Sequence, residues 1–137
     1  MRSIVVGTGT IGTAVKKLLQ EHVHEVTTIG RRSGQPRRLE TWRYRAAGRY
    51  WLTGSPGARD WYANLVAQPA FTLHLRGRDL PARARLVTDP DERAAVFGEI
   101  VPTLSWAGSL AAWIAGSPLV EIQLADEQDQ AKVYGVE

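Results

Sequence analysis

The 137-residue sequence has no cysteine, so a disulfide framework, a thiolate metal site and a cysteine nucleophile are all excluded. It has no apolar run approaching the ~18–20 residues that a membrane-crossing helix requires. Near the N-terminus Arg2 precedes the apolar Ile4-Val5-Val6, but glycines, threonines and then Lys16-Lys17 interrupt the run before a signal-peptide core can form. A cytoplasmic protein is therefore expected. Internal repeats and low-complexity tracts are also missing, and the length suits one domain. Lysine is scarce: of 17 basic residues 14 are arginine, set against 14 acids for a net charge of +3. Guanidinium binds carboxylate and phosphate through a flat two-pronged fork, although a GC-rich coding sequence produces the same excess with no function attached. Histidine is sparse too. His22 and His24 have no third metal ligand nearby, His74 alternates with Leu73 and Leu75 as a strand-face residue, and neither Ser33 nor Ser55 has the partners of a hydrolase triad.

The residues that are present divide into short periodic segments. Ser3–Val6 reads as a buried strand and Thr10–His22 as a helix, with Ile11, Val15, Leu18 and Leu19 at helical spacing. Glu25–Ile29 is β-rich and Gly30–Pro36 is a turn by composition. Along Arg37–Arg45, Leu39, Thr41 and Arg43 face one way and Glu40, Trp42 and Tyr44 the other; Ala47-Gly48 then links them to the aromatic strand Arg49–Thr53. After the turn Gly54–Gly57, Ala58–Ala67 reads as a helix stopped by Pro69. Ala70–Leu75 and Ala82–Val87 form a second hairpin across Gly77-Arg78-Asp79. Asp89-Pro90-Asp91-Glu92 starts a helix running to about Val101, Trp106–Ile114 reads as helical, and Pro118–Leu124 is a closing strand before the acidic tail Ala125–Glu137. Hairpin strands with few helices predict an α+β fold built on an antiparallel sheet or small barrel, not a doubly wound parallel sheet.

Two stretches resemble known families. Gly7-Thr8-Gly9-Thr10-Ile11-Gly12 stands between a strand and a helix, and Arg2–Gly34 resembles the opening β-α-β of NADP-dependent short-chain dehydrogenase-like proteins. That resemblance implies a pyrophosphate against the glycines and a 2′-phosphate against Arg31 and Arg32. It ends there, with no further crossover helix and no Tyr-x-x-x-Lys pair. The second covers residues 25 to about 124. Val26-Thr-Thr-Ile-Gly-Arg-Arg-Ser-Gly-Gln-Pro-Arg37, Gly48-Arg-Tyr-Trp-Leu-Thr-Gly-Ser-Pro-Gly57, Asp60-Trp-Tyr-Ala-Asn-Leu65, Arg83–Arg93 and Pro118-Leu-Val-Glu-Ile122 stand in the order of the deazaflavin (F420)-dependent nitroreductase family. The two patterns meet at Gly30–Gly34.

The second resemblance implies a split β-barrel of antiparallel strands with flanking helices, related to the flavin-reductase and pyridoxamine-phosphate-oxidase-like proteins. The chain then divides into an N-terminal strand and helix (1–24), a deazaflavin-binding barrel domain (25–124) and a tail (125–137). The implied cofactor is coenzyme F420, with FMN as the alternative on the same fold. The implied reaction is hydride transfer from the reduced deazaflavin to a quinone, nitro compound or activated alkene; the alternatives are an FMN reductase or a cofactor-binding protein without turnover. F420 presents a flat ring, a phosphate and a string of carboxylates, and Arg31–Arg49 holds seven guanidinium groups offset only by Glu40. The cofactor-binding residues implied are Arg31, Arg32, Ser33 and Arg38 from the first segment and Thr53, Gly54, Ser55, Pro56, Gly57, Arg59, Trp61 and Asn64 from the next two. The family often carries a lysine near Ser55, so here Arg59 takes that charge. Ser105–Trp113 lacks the tyrosines that the family places near its acceptor, which leaves Ser105 and Trp106 as the weak catalytic candidates.

A small-molecule acceptor is the expected partner, with peripheral membrane contact if that acceptor is a quinone. A homodimer is compatible with the edge the N-terminal strand offers. Trp42, Tyr44, Tyr50 and Trp51 interleave the arginines and could stack bases, but no nucleic-acid motif accompanies them and none is expected to bind. The charge is uneven: Arg31–Arg85 holds 12 arginines against 3 acids, while the rest of the chain is acidic. One basic face around the first barrel strands and the Gly54–Arg59 loop is the expectation.

Overall fold

Apolar residues at every second position bury one face of a strand and expose the other. Phe71, Leu73 and Leu75 do this on one strand, Leu80, Ala82 and Ala84 on the next, and Val120, Ile122 and Leu124 on the last. A computed structural model describes residues 23–75 and 77–124. Its elements are β1 (Val23–Ile29), β2 (Pro36–Ala46), β3 (Arg49–Thr53), α1 (Asp60–Ala67), β4 (Ala70–Leu75), β5 (Arg78–Leu86), α2 (Pro90–Ile100) with a 3-10 turn at Val101–Thr103, α3 (Leu110–Gly116) and β6 (Leu119–Leu124). The strands close into an antiparallel barrel in the order β1-β2-β3-β6-β5-β4, with β4 returning to β1. The expected α+β barrel with flanking helices is what forms.

Barrel closure gives the wall two apolar faces. Inside lie Val26, Tyr50, Leu52, Phe71, Leu73, Leu80 and Ile122, capped at one end by Trp61 and Leu65 of α1. Outside, α2 and α3 pack Val96, Phe97, Ile100 and Trp113 onto Tyr44, Trp51 and Leu119. Trp113 is fully buried against Phe97, with ring centroids 5.8 Å apart. The same alternation explains why Tyr50 and Leu52 face in while Trp51 between them faces out.

Several boundaries differ from the sequence reading for local reasons. β5 begins at Arg78, before Pro81, because Leu80 already belongs to the inner face and Pro81 lies just beyond the stretch paired to β6. α3 begins at Leu110, not Trp106: Gly108 has φ +80° and Ser109 is the N-cap, its Oγ accepting from the N–H of Ala112 at 3.2 Å. β1 has β2 on one edge and β4 on the other, both antiparallel, so no edge remains for the parallel neighbour that a dinucleotide-binding β-α-β requires. The segments Ser3–Val6, Gly7–Gly12 and Thr10–His22, and the tail 125–137, lie outside the described residues. Among the described residues no helix is long and apolar enough to cross a membrane.

Charge within the wall is organised around Glu121, which is 1% exposed on β6. Its two oxygens accept from Arg49 Nη1 (2.7 Å) and Arg85 Nε (2.6 Å), and the rest of the Arg85 fork is bonded to Glu92 on the first turn of α2. Hydrogen bonds to Glu92 and Glu121 hold the Arg85 guanidinium above its ordinary range, and Arg85 in turn holds the Glu92 carboxyl below its own. Asp89, the N-cap, accepts from the Glu92 N–H at 2.8 Å, so one residue joins the helix cap to the barrel.

Glu121→Gln is expected to lower unfolding stability by about 2 kcal/mol, the scale of charged hydrogen bonds lost from a buried acceptor, read from the urea midpoint. Because Glu92 has a lower pKa folded than unfolded, its stabilisation is complete above the ordinary glutamate value of about 4.3 and fades as pH falls through the lowered one. Glu92→Gln should therefore show a shallower loss of stability on acidification than the parent protein.

Candidate cofactor site

The turn between β1 and β2 is built from glycine and serine. Gly30 N–H donates to the Gln35 carbonyl, Gly34 N–H donates to the Gly30 carbonyl, and Gly34 has φ +70°. A Cβ on Gly30 would stand 2.5 Å from Ser33 Oγ, which accepts from the Gln35 N–H at 3.1 Å. The Gly30-x-x-Ser33-Gly34 spacing is thus what lets the turn fold back on itself and present the intervening Arg31 and Arg32.

Arg31 and Asn64 fasten this turn to α1. Asn64 Oδ1 accepts from the Arg31 N–H at 3.1 Å and from Arg31 Nη1 at 2.9 Å, while its Nδ2 donates to Thr28 Oγ1 at 3.2 Å. Arg31 Nη2 also pairs with Asp60 Oδ1 at 3.2 Å. Asn64 is 5% exposed, so these bonds satisfy an amide that would otherwise be costly to bury.

Between the turn and α1 lies a cavity of about 490 Å³. Its walls include Arg31, Arg32, Arg37 and Arg38, with Ser33, Leu39, Trp61 and Asp60 completing the rim. Arg38 Nε is bonded to Glu25 Oε1 at 2.5 Å across the strand pair, whereas Arg32 and Arg37 form no ion pair among the described residues. Of the residues singled out from sequence, Arg31, Arg32, Ser33, Arg38, Trp61 and Asn64 come together here. Arg37 joins them; it follows the turn in the same arginine run, and only the strand end at the barrel mouth brings it onto the cavity beside Arg38.

The Gly54–Arg59 loop is arranged differently. Arg59 folds over its own loop, its Nη2 donating to the Ser55 carbonyl (3.0 Å) and Ser55 Oγ (3.1 Å) and its Nη1 to the Ala58 carbonyl. Its guanidinium lies 3.2 Å from where a Cβ of Gly54 would stand, so a side chain there would have to displace the Arg59 fork slightly. Thr53 is buried, its Oγ1 donating to the Pro118 carbonyl at 2.5 Å. Thr53, Gly54, Ser55 and Pro56 line neither cavity described here; Gly57 and Arg59 line a second one.

That second cavity, about 610 Å³, lies on the other side of the first turn of α1, between it, the start of α2 and the end of α3. Tyr62, Val87, Thr88, Arg93, Gly116 and Ser117 contribute to it. Arg93 donates to four carbonyls, those of Val87, Trp113, Ile114 and Ser117, and stacks over Phe97. Burial pushes its pKa below the ordinary arginine value. No local motif announced this cavity, because its parts are 60 residues apart in the chain and meet only when α3 docks. Ser105 and Trp106 line neither cavity; Trp106 is 58% exposed and packs on Trp113 at 5.8 Å.

The arginines of the basic segment do not all share one surface. Arg43 is buried in the barrel under the Tyr50 ring at 4.2 Å, Arg49 and Arg85 serve Glu121, and the cavity-lining group is confined to the Arg31–Arg38 end. That group suits a polyanion carrying phosphate and carboxylates, which is the chemistry of F420, and Trp61 supplies an aromatic wall. Among the described residues no cluster of three or more acidic or histidine side chains could hold a metal.

Comparison with known proteins places this geometry in context. The fold is similar to that of a conserved hypothetical protein from Mycobacterium tuberculosis, with 15% identity over 91% of this chain and 85% of that one and a TM-score of 0.58. It is also similar to an F420-H2 dependent reductase, FDR-A, with 23% identity over 72% of this chain and 93% of that one and a TM-score of 0.52. A third likeness, to an F420 reductase, has 16% identity over 81% of this chain and 92% of that one and a TM-score of 0.50. These likenesses establish the shared fold. The family model for F420H(2)-dependent quinone reductase matches residues 6–115, most of the sequence and both arginine-bearing loops. The chain belongs to the F420H2-dependent quinone reductase family, whose cofactor is coenzyme F420.

Proposed function

We propose that the protein is a cytoplasmic reductase that holds the phosphate and carboxylates of F420 in the cavity between the β1–β2 turn and α1, and reduces a small organic acceptor: a quinone, a nitro compound or an activated alkene. The observation that carries this reading is the convergence of Arg31, Arg32, Arg37 and Arg38 on one cavity walled by Trp61. Reduced F420 supplies a hydride. The chain's own part is to bind, orient and shield. Arg32 and Arg37, without ion-pair partners among the described residues, are the groups that grip the anions, while Arg31 acts by fixing α1 through Asn64 and Asp60. Membership of the F420H2-dependent family favours F420 over the flavin as the occupant. A homodimer, and peripheral membrane contact where the acceptor is a lipid-soluble quinone, belong to the same reading. Ser105 and Trp106 have no catalytic role in it.

Titration of F420 into the protein should quench tryptophan fluorescence, with affinity falling as salt rises because the contacts are ionic. Arg32→Ala and Arg37→Ala should each weaken binding about tenfold without loss of thermal stability, the scale of one charge-assisted hydrogen bond. Arg31→Ala should lower both affinity and melting temperature, because it also releases α1. Absence of binding, or variants with unchanged affinity, would contradict the reading. With F420H2 supplied, turnover of menadione, a nitroimidazole and an enone should be compared by the return of deazaflavin absorbance; no oxidation with any of the three would exclude the reductase assignment.

A further inference from the structure

We infer that the corner formed by residues 104–109 and the first turn of α3 is a lipid-contact surface, which sets Trp106 and Leu110 into the headgroup boundary of a phospholipid bilayer. It gives a place on the fold to the peripheral membrane contact of the proposed function, on which it rests for its setting.

In a sequence of which 23% is charged, no Asp, Glu, Lys, Arg or His occurs anywhere in residues 100–120. Part of that stretch is core: Val101, Leu104, Trp113 and the start of β6 are buried. Most of residues 102–116 is exposed. The exposed large apolar side chains among the described residues are Trp42, Val66, Trp106 and Leu110, and two of them stand at this corner, Trp106 at 58% and Leu110 at 39%. Exposed apolar side chains in a charge-free surrounding mark a contact surface, whereas single ones scattered among charges do not.

The two form one patch on a rigid base. Trp106 lies against the Trp113 ring with centroids 5.8 Å apart, and Leu110 precedes Trp113 by one helical turn, which makes them neighbours on α3. Trp113 is fully buried against Phe97, and its Nε1 donates to the Ala107 carbonyl at 2.9 Å, holding the loop onto the helix. The exposed indole is thus fixed in place before any partner arrives, so little side-chain freedom is lost when it is covered.

Charge and size select the partner. A stable protein interface covers roughly 800 Å² a side and sets its register with a polar, hydrogen-bonded rim. This corner offers two large side chains among alanine, glycine, serine, threonine and proline, and no charged group. A bilayer boundary needs less. Indole settles there with its N–H among headgroups and its ring against acyl chains, and a surrounding without charge adds no cost of desolvating an ion. Attraction to anionic lipid is the work of clustered Lys and Arg, and the cavity-lining arginines belong to the β1–β2 turn and the start of β2, not to this corner. The contact is therefore apolar in origin and indifferent to lipid charge.

The test uses the full-length protein, co-sedimented with vesicles of phosphatidylcholine alone or mixed equally with phosphatidylglycerol, at low and high salt. The parent should partition onto both, with little change on adding salt. Trp106→Gln and Leu110→Gln should each weaken partitioning, Trp106→Gln by about tenfold, as loss of one partly inserted aromatic ring predicts. Trp42→Gln, which alters the exposed tryptophan of β2, should partition like the parent. Should Trp106→Gln melt lower than the parent, Leu110→Gln decides. No partitioning by the parent, no loss in a variant that melts like the parent, equal loss in Trp42→Gln, or partitioning confined to phosphatidylglycerol and abolished by salt would overturn the inference. A dimer that Trp106→Gln dissociates would also overturn it, assigning the corner to a second copy. F420 binding is measured on the same samples. A parent that binds F420 but not vesicles overturns this inference alone; one that binds vesicles through Trp106 but not F420 overturns the proposed cofactor site alone.

Discussion

β1 is the strand on which the barrel closes, and the candidate site depends on that closure. It pairs with β2 along its whole length but with β4 only over Glu25–Thr27. Side chains reinforce the short seam: His74 Nδ1 donates to Asp79 Oδ1 at 2.7 Å and its Nε2 meets Thr27 Oγ1 at 2.7 Å, tying β1, β4 and β5 together. Closure turns Val26, Leu73 and Leu80 inward as one core. It also brings the end of β1 and the turn after it against α1, where Thr28, Arg31 and Asn64 lock. Without that junction the four arginines would be mobile surface charges worth little.

Identical residues within one short run acquire four different roles from strand alternation and from the carboxylate each happens to face. Arg31 is a fastener, Arg32 and Arg37 line the cavity without ion pairs among the described residues, Arg43 is an interior residue stacked on Tyr50, and Arg49 neutralises buried Glu121. Separating these roles matters for the energetics. Arg49 and Arg85 answer a carboxylate that could not be buried alone, whereas the group at the barrel mouth concentrates positive potential where a solute can reach it. At the second cavity, by contrast, the Arg59 and Arg93 guanidinium groups donate to main-chain carbonyls.

Much of the fold was legible because its signals are local. Alternating apolar residues, the turns at Ala47-Gly48 and Gly77, and the Asp89-Pro90 helix start set the order of strands and helices from Glu25 onward. What joins β1 to β4 and β3 to β6 is non-local and leaves no local pattern. α3 is shorter than the apolar stretch Trp106–Ile114 suggests, because Gly108 with its positive φ and the Ser109 cap impose a later start. At the site, the Gly30–Gly34 turn and its arginines were readable from composition. That Arg59 closes its own loop was not, nor was the burial of Ser117, since each depends on distant backbone carbonyls or on Arg93 arriving from α2.

On the proposed function, the arginines at the mouth of the barrel receive the anionic part of F420. A crystal structure of the protein with bound F420 tests it most directly. The phosphate or glutamyl carboxylates should lie within hydrogen-bond distance of Arg32 and Arg37, with the Arg31–Asn64 contacts intact. Cofactor bound with those anions in solvent or against another surface, and Arg32 and Arg37 unengaged, would contradict it.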